Sequence, residues 1–287
     1  MKFVYKKPGS LAEALELKAR YRERGVFIAG GTDLLIDLKS GLLQPEVIID
    51  ISSLDEIRYI RKDDDHIRIG AVTTISSIQK SPIVQSSAPI LLKACKQFAN
   101  PLIKNVATIG GNLVNASPAA DMAPPLLVLE ASVVLKSLDG ERVLDLEKFF
   151  LGVKSTGQRS DELLTEIRFK SAEGLNCEFV KLGQRRGSSI SIVSLALMFN
   201  LTDGVISDGP RIALGAVAPV PFRARGAEDV LHGVEPSLEN LKRAGVALKR
   251  EVSPITDIRG SAGYRKEVSA SLLLMAFQNL GYACNNP

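Results

Sequence analysis

The chain has 287 residues, 45% of them hydrophobic, and 36 basic against 32 acidic side chains leave a formal charge of +4. That length is enough to bury a large apolar core and favours more than one domain, while so mild and scattered a charge argues against nucleic acid as a partner. No run approaches the roughly 18 apolar residues of a membrane span, and Met1-Lys2-Phe3-Val4-Tyr5 opens no signal-peptide core, so a cytoplasmic protein is expected.

In chain order, residues 1–56 alternate strand and helix signals: Phe3–Tyr5, a helix after Ser10 carrying Leu11, Ala14, Leu15 and Lys18, then Val26–Ile28, Leu34–Leu38 and Val47–Ile49. This predicts a small α/β subdomain. Residues 57–172 form a second unit, with a hairpin of Ile57–Ile60 and Ile67–Gly70 about the turn Asp63-Asp64-Asp65. Helical patterns follow at Ile75–Gln79 and Ile90–Phe98, and then Val133–Leu138 and Val143–Leu146 turn at Asp139-Gly140. The polar, glycine-containing stretch 151–160 reads as a loop before a strand at Leu163–Phe169. Residues 173–287 place strands first (Cys177–Leu182, Ile190–Leu201, Ile212–Val217) and helices after (Leu238–Arg250, Ala270–Leu280), the order of an α+β domain.

Cys95, Cys177 and Cys284 are widely separated, with no C-x-x-C, and His66 and His232 have no ligand or nucleophile motif beside them. Neither a disulfide framework, an iron–sulfur or zinc site, nor histidine-based hydrolysis is indicated. The informative features are two glycine pairs, in Ile28-Ala29-Gly30-Gly31-Thr32-Asp33-Leu34-Leu35 and in Thr108-Ile109-Gly110-Gly111-Asn112. Each follows apolar residues and reads as a strand running into a bend that exposes backbone N–H groups, since adjacent glycines let successive amides point into one concavity. Neither bend contains Lys or Arg. Anion binding there would rest on neutral donors and hydroxyls, and two facing bends suit a pyrophosphate. Thr32 and Asp33 also stand where they would cap a helix beginning at Leu34.

The stretch from Phe98 through Thr108–Asn112 to Asp121, taken with Ile28–Leu35, resembles the flavin-binding segments of the molybdenum hydroxylases. Nearly the whole chain is similar to the FAD-binding medium subunit of the xanthine and carbon monoxide dehydrogenases. The resemblance implies an α+β fold: two FAD-binding subdomains of the PCMH, vanillyl-alcohol-oxidase-like type, then a C-terminal α+β domain of the carbon monoxide dehydrogenase flavoprotein kind with an antiparallel sheet plus helices. By position, Ile28 to Leu35 and Thr108 to Asn112 would hold the pyrophosphate and ribityl chain. Asp121 would bond a cofactor hydroxyl, Phe98 would pack on the flavin, and Leu163 and Lys181 would touch it from later strands. Lys181 would stabilise negative charge on the reduced ring. Read without the resemblance, Phe98 is a core residue at a helix end, Leu163 a strand residue, Asp121 a helix cap and Lys181 a surface cation.

The same resemblance implies FAD in this chain, with [2Fe–2S] clusters and the molybdopterin cofactor on an iron–sulfur small subunit and a molybdopterin large subunit. The chain would then be an oxidoreductase component that collects electrons for an external acceptor such as NAD, a quinone or oxygen. In Gln184-Arg185-Arg186-Gly187-Ser188-Ser189, the residues after the arginines replace the acidic ones of the eukaryotic xanthine dehydrogenases, which leaves NAD open. The substrate, the stoichiometry and the roles of Arg185 and Arg186 also stay open. Two other readings compete: a stand-alone FAD-dependent oxidase, and a non-catalytic flavin- or nucleotide-binding assembly factor.

Overall fold

The computed structural model describes residues 2–185 and 187–282. Arg186 and Cys284, both singled out above, lie outside the described residues. In the first lobe β1 (Val4–Lys6), α1 (Leu11–Tyr21), β2 (Gly25–Ile28), α2 (Leu34–Lys39) and β3 (Val47–Asp50) make a parallel sheet in the order β1-β3-β2. The middle strand buries Val47, Ile48 and Ile49 in succession, the unbroken apolar run of a strand covered on both faces. Ser10 caps α1 as its position predicts, accepting from the Glu13 N–H at 3.2 Å.

The expected cap on α2 does not form. A cap carboxylate reaches the first-turn amides from extended backbone, whereas Asp33 at φ −106° and ψ −49° is already helical and makes no cap bond. Thr32 donates to Asp33 Oδ2 at 3.3 Å instead, and the turn is closed by the Leu35 N–H on the Gly31 carbonyl at 3.1 Å.

The second lobe is built on β4 (Ile60–Asp63), β5 (His66–Gly70), β6 (Ser132–Ser137), β7 (Gly140–Asp145) and β10 (Leu163–Lys170), in the order β4-β5-β10-β6-β7. Every pairing is antiparallel. The hairpin turn at Asp63–Asp65 forms as predicted, with Asp64 in the left-handed region at φ +54°. Ile57 belongs to a 3-10 turn, Asp55–Ile57, that drives its side chain into the core, so the strand starts only at Ile60. On β5, Ile67 and Ile69 go inward while His66 and Arg68 stay accessible, the two-residue alternation of a sheet with one packed face.

Between β5 and β6 run α3 (Ile75–Lys80), α4 (Pro82–Ser87), α5 (Pro89–Gln97), α6 (Pro101–Lys104), α7 (Ile109–Val114) and α8 (Ala123–Val128). After β7 come α9 (Leu146–Phe149) and the small hairpin of β8 (Phe150–Gly152) and β9 (Ser155–Thr156). The second glycine pair is therefore not a bend after a strand. Val106 is exposed, one bridge joins Thr108 to Thr74, and Gly110 and Gly111 stand in the first turn of α7. Thr108 causes this: its hydroxyl accepts from the Gly111 N–H at 3.1 Å and starts the helix just before the glycines.

The last unit places β11 (Asn176–Leu182), β12 (Val193–Thr202), β13 (Val205–Gly215) and β14 (Phe222–Arg223) side by side, antiparallel, followed by α10 (Arg225–Leu231), α11 (Leu238–Glu251) and α12 (Ala262–Asn279). Strands precede helices as expected, although α12 begins at Ala262 rather than Ala270 because Ser261 caps it, accepting from the Tyr264 N–H at 3.2 Å. Alternation gives this sheet two apolar faces. Cys177, Phe179, Ala196 and Met198 join the core of the second lobe, while Val180, Leu195, Leu197 and Phe199 pack with α11 and α12.

Candidate functional site

At the end of β2 the chain turns through Ala29–Asp33 into α2. Among the described residues, the N–H groups of Gly30, Gly31, Thr32, Asp33 and Leu34 bond to no protein acceptor. Gly31 stands at φ +69°, and a Cβ on Gly30 would overlap the carbonyl oxygen of Val106. Only glycine allows this approach, which brings the turn against the segment entering α7. The two glycine pairs thus converge, and Ile28–Leu34 face Phe98, Thr108, Gly111 and Asn112 across one cleft of about 390 Å³.

The contributions of the two sides differ from the expectation of free amides on both. In the second segment the N–H of Ile109 is held by Thr73 O (3.1 Å), that of Gly110 by Ala71 O (2.9 Å), that of Gly111 by Thr108 Oγ1 (3.1 Å) and that of Asn112 by Thr108 O (3.0 Å). The first turn of α7 and the carbonyls of Ala71 and Thr73 use these four donors, so among the described residues the row of open amides is in the first glycine turn, and the second segment keeps only the Thr108 N–H. Gly110 serves packing, since a Cβ there would sit 2.7 Å from both Ala71 Cβ and Ala71 O. Asn112 Oδ1 accepts from the Met122 N–H at 3.2 Å.

Of the other expected residues, Ile109 is fully buried in the core and Leu35 is exposed on α2, and neither lines the cleft. Phe98 is buried, as a core residue at a helix end would be, and also lines the cleft. Leu163 walls an apolar recess that shares Phe27, Ala29, Thr108 and Gly111 with the cleft. A cation does reach the site, from outside both glycine segments. Lys154, at the turn between β8 and β9, donates to Asn115 Oδ1 at 2.5 Å and pairs with Asp37 of α2 at 3.5 Å, linking the two lobes at the cleft wall. Its only sequence signal is its place in the polar stretch 151–160.

Asp121 and Lys181 meet elsewhere. Alternation with Cys177 and Phe179 sends Lys181 to the face of β11 packed on the second lobe, where Nζ lies 2.5 Å from Asp121 Oδ2. Ser191 Oγ donates to Asp121 Oδ1 at 2.6 Å. Asp121 is thus no helix cap, because Met122 holds that position, and Lys181 is neither plain surface nor an unbalanced charge. Lys181 walls a second cavity with Gln97, Gln184, Arg185 and Ser189. Gln97 adjoins Phe98, so the two cavities flank one residue pair. Arg185 Nη2 bonds to the Ser188 carbonyl at 2.8 Å, a contact within its own loop.

Burial pushes the Cys95 thiol up to about 12 and that of Cys177 up to about 11, which leaves both unreactive near neutrality. No group of three or more His, Cys, Asp or Glu able to hold a metal exists among the described residues, and no described helix is long and apolar enough to cross a membrane.

A cleft between two lobes, with unbonded amides at a glycine turn on one wall, defines a protein that holds a nucleotide-type cofactor. Residues 1–169 match the family of the FAD-binding domain in molybdopterin dehydrogenase, and residues 178–280 match the carbon monoxide dehydrogenase flavoprotein C-terminal domain. The nicotinate dehydrogenase FAD-subunit of Eubacterium barkeri is 31% identical, with 99% of each chain covered. The glyceraldehyde dehydrogenase medium chain of Sulfolobus acidocaldarius is 33% identical over 97% of this chain and 98% of that one. Among solved structures, a chain of the carbon monoxide dehydrogenase from Hydrogenophaga pseudoflava lacking the Mo-pyranopterin moiety superposes with a TM-score of 0.94, at 32% identity, over 97% of this chain and 96% of that one. The chain belongs to the family of FAD-binding medium subunits of the molybdenum hydroxylases, which are oxidoreductases. The residues present fit FAD: five main-chain donors without acceptors, on a surface kept free of bulk by Gly30 and Gly31, match a diphosphate.

Proposed function

We propose that this chain is the FAD-holding electron-transfer subunit of a heteromeric molybdenum hydroxylase. Electrons would reach it from [2Fe–2S] clusters on a small partner subunit, after substrate oxidation at the molybdopterin cofactor of a large one, and leave to an external acceptor. The single observation that supports this most is the row of unbonded N–H groups from Gly30 to Leu34, set against α7 across a cleft.

When bound, FAD supplies a carrier that takes electrons one at a time and releases them in pairs. The turn at Ile28–Leu34 holds the diphosphate by its amides and by the Thr32 hydroxyl, and Thr108, Gly111 and Asn112 form the opposite wall. Phe98 presents an apolar face at the junction of the two cavities and keeps water from it. Asp121, fixed by Lys181 and Ser191, offers carboxylate oxygens to a cofactor hydroxyl. Lys181 brings positive charge to the flavin end, balanced by Asp121 while no negative charge is present. Gly183, Gln184 and Ser189 line that end and would face the acceptor.

Gly111→Val is the site test. A Cβ at Gly111 has only Thr108 Oγ1 within 4 Å, at 2.8 Å, so the larger side chain both disturbs that cap and projects toward the diphosphate space. The variant is expected to purify without FAD, read as lost absorbance near the flavin maximum, while wild type carries one FAD per chain. Normal FAD content in Gly111→Val would contradict this docking. Co-purification of wild type with chains that carry iron–sulfur clusters and molybdenum tests the assembly, and full dehydrogenase activity of the isolated chain would overturn it.

A further inference from the structure

Lys181 and Asp121 form a nearly dry ion pair: their side chains are 5% and 11% exposed, and Nζ lies 2.5 Å from Oδ2. A pair closed in this way is neutral, so it offers little field to a negative charge arriving beside it. For the ammonium to answer such a charge, Nζ has to turn from Asp121 into the cavity of about 460 Å³ that Lys181 borders. The carboxylate is then left buried with its countercharge withdrawn, which is costly. One donor stays with it. Ser191, itself fully buried, gives its hydroxyl to the other oxygen, Oδ1, at 2.6 Å.

That hydroxyl is held in place through its neighbours. The Ile192 N–H bonds to Leu182 O at 2.8 Å, which sets Ser191 beside the strand end that carries Lys181. Arg265 of α12, only 2% exposed, donates from Nη1 to the carbonyls of Ile192 at 3.0 Å and Ala216 at 2.9 Å. Ala216 in turn bonds through its N–H to Pro118 O at 2.7 Å, three residues before Asp121. Arg265 thus clamps the segments of Ser191 and Asp121 together, and Asp257 Oδ1, 2.6 Å from Nη2, balances and orients its guanidinium.

We propose that Ser191 is a positioning residue that favours the reduced flavin: its hydroxyl holds the Asp121 carboxylate when Lys181 turns toward negative charge on the ring, and so raises the reduction potential of the bound cofactor. The inference rests on the reading that this chain holds FAD with its ring at the Lys181 cavity. A hydrogen bond to a carboxylate strengthens as the carboxylate loses its other partner, since more charge is left on its oxygens. The Ser191 bond is therefore worth more with reduced than with oxidised flavin. Only that difference moves the potential.

The test titrates oxidised FAD into the deflavinated full chain, followed by flavin fluorescence, and then reduces the loaded chain against a reference dye of known potential. In Ser191→Ala the affinity for oxidised FAD should stay within about twofold of wild type while that for reduced FAD falls about tenfold, which lowers the potential by about 30 mV for a two-electron couple. A merely structural role would weaken both forms alike and leave the potential where it was. An unchanged or higher potential in Ser191→Ala overturns the assignment. Reduced-minus-oxidised infrared spectra of wild type should also contain a carboxylate band that moves as Lys181 leaves Asp121, and a wild type without one overturns the proposal with no variant needed. A wild-type chain that binds no FAD fails differently: it defeats the FAD reading itself.

Discussion

Gly30 and Gly111 show how differently two glycines of the same motif type can be used. At Gly30 the obstacle to a side chain is the main chain of Val106, which cannot move without parting the lobes, whereas at Gly111 it is the tip of a capping threonine. Gly30→Ala is therefore expected to cost about 3 kcal/mol, the upper end of overpacking, and to lose FAD as well, measured by urea unfolding and flavin content. Equal stability of Gly30→Ala and wild type would contradict the close approach. The thiols give a second test at this scale. In a Cys284→Ser background, Cys95 and Cys177 should resist iodoacetamide at pH 8 in the native chain and react fully in urea, as mass spectrometry would show, because burial holds both far above that pH.

Among the elements, the loop 157–162 is the one whose position depends most on charge. Burial alone would raise the Glu162 carboxyl, but hydrogen bonds from Arg142 and the Arg159 N–H outweigh it and hold the group below its ordinary value. The sign follows: a carboxyl depressed in the folded state contributes stability that is complete above its unfolded value and is lost as pH falls through the folded one. Glu162→Gln should thus lower stability at pH 7 by about 2 kcal/mol, the range of a hydrogen bond to a charged partner, with the gap to wild type narrowing toward pH 3. Urea midpoints across that range measure it, and a gap independent of pH would contradict the pairing. The cap of α7 is a smaller effect. Thr108→Ala should cost about 1 kcal/mol in the same assay, as loss of an N-cap hydroxyl does.

Over the whole molecule, the sheet β11 to β14 acts as a shared wall. Residues alternating along β11 and β12 belong in turn to the core of the second lobe and to the core under α11 and α12, so neither side closes without it. Phe179, Met198 and Cys177 leave the second-lobe core if the chain is cut at residue 172. At about 1.5–3 kcal/mol for each large side chain, that loss approaches the roughly 5–15 kcal/mol of a typical domain. A fragment of residues 1–172 should therefore lack a cooperative unfolding transition, while the full chain unfolds in urea with coincident near- and far-ultraviolet circular dichroism. A fragment that melts sharply would show that the lobes do not need the sheet.

Periodicity alone located most strands and the principal helices, because a half-buried strand and an amphipathic helix leave their period in the residues themselves: Ile67 and Ile69 on β5, or Leu241, Ala244 and Leu248 on α11. The glycine pairs marked the cleft for a similar local reason, and the resemblance they carry named the family. What no local pattern contained was distance across the chain. The central place of β10 in its sheet, the meeting of Asp121 with Lys181 and Ser191 and the reach of Lys154 to Asp37 all depend on segments brought together by packing. Which glycine segment keeps the row of free amides was likewise decided by tertiary structure, since Ala71 and Thr73 occupy two of the donors beside Gly111 and a turn of backbone conformation left those of Gly30 to Leu34 open.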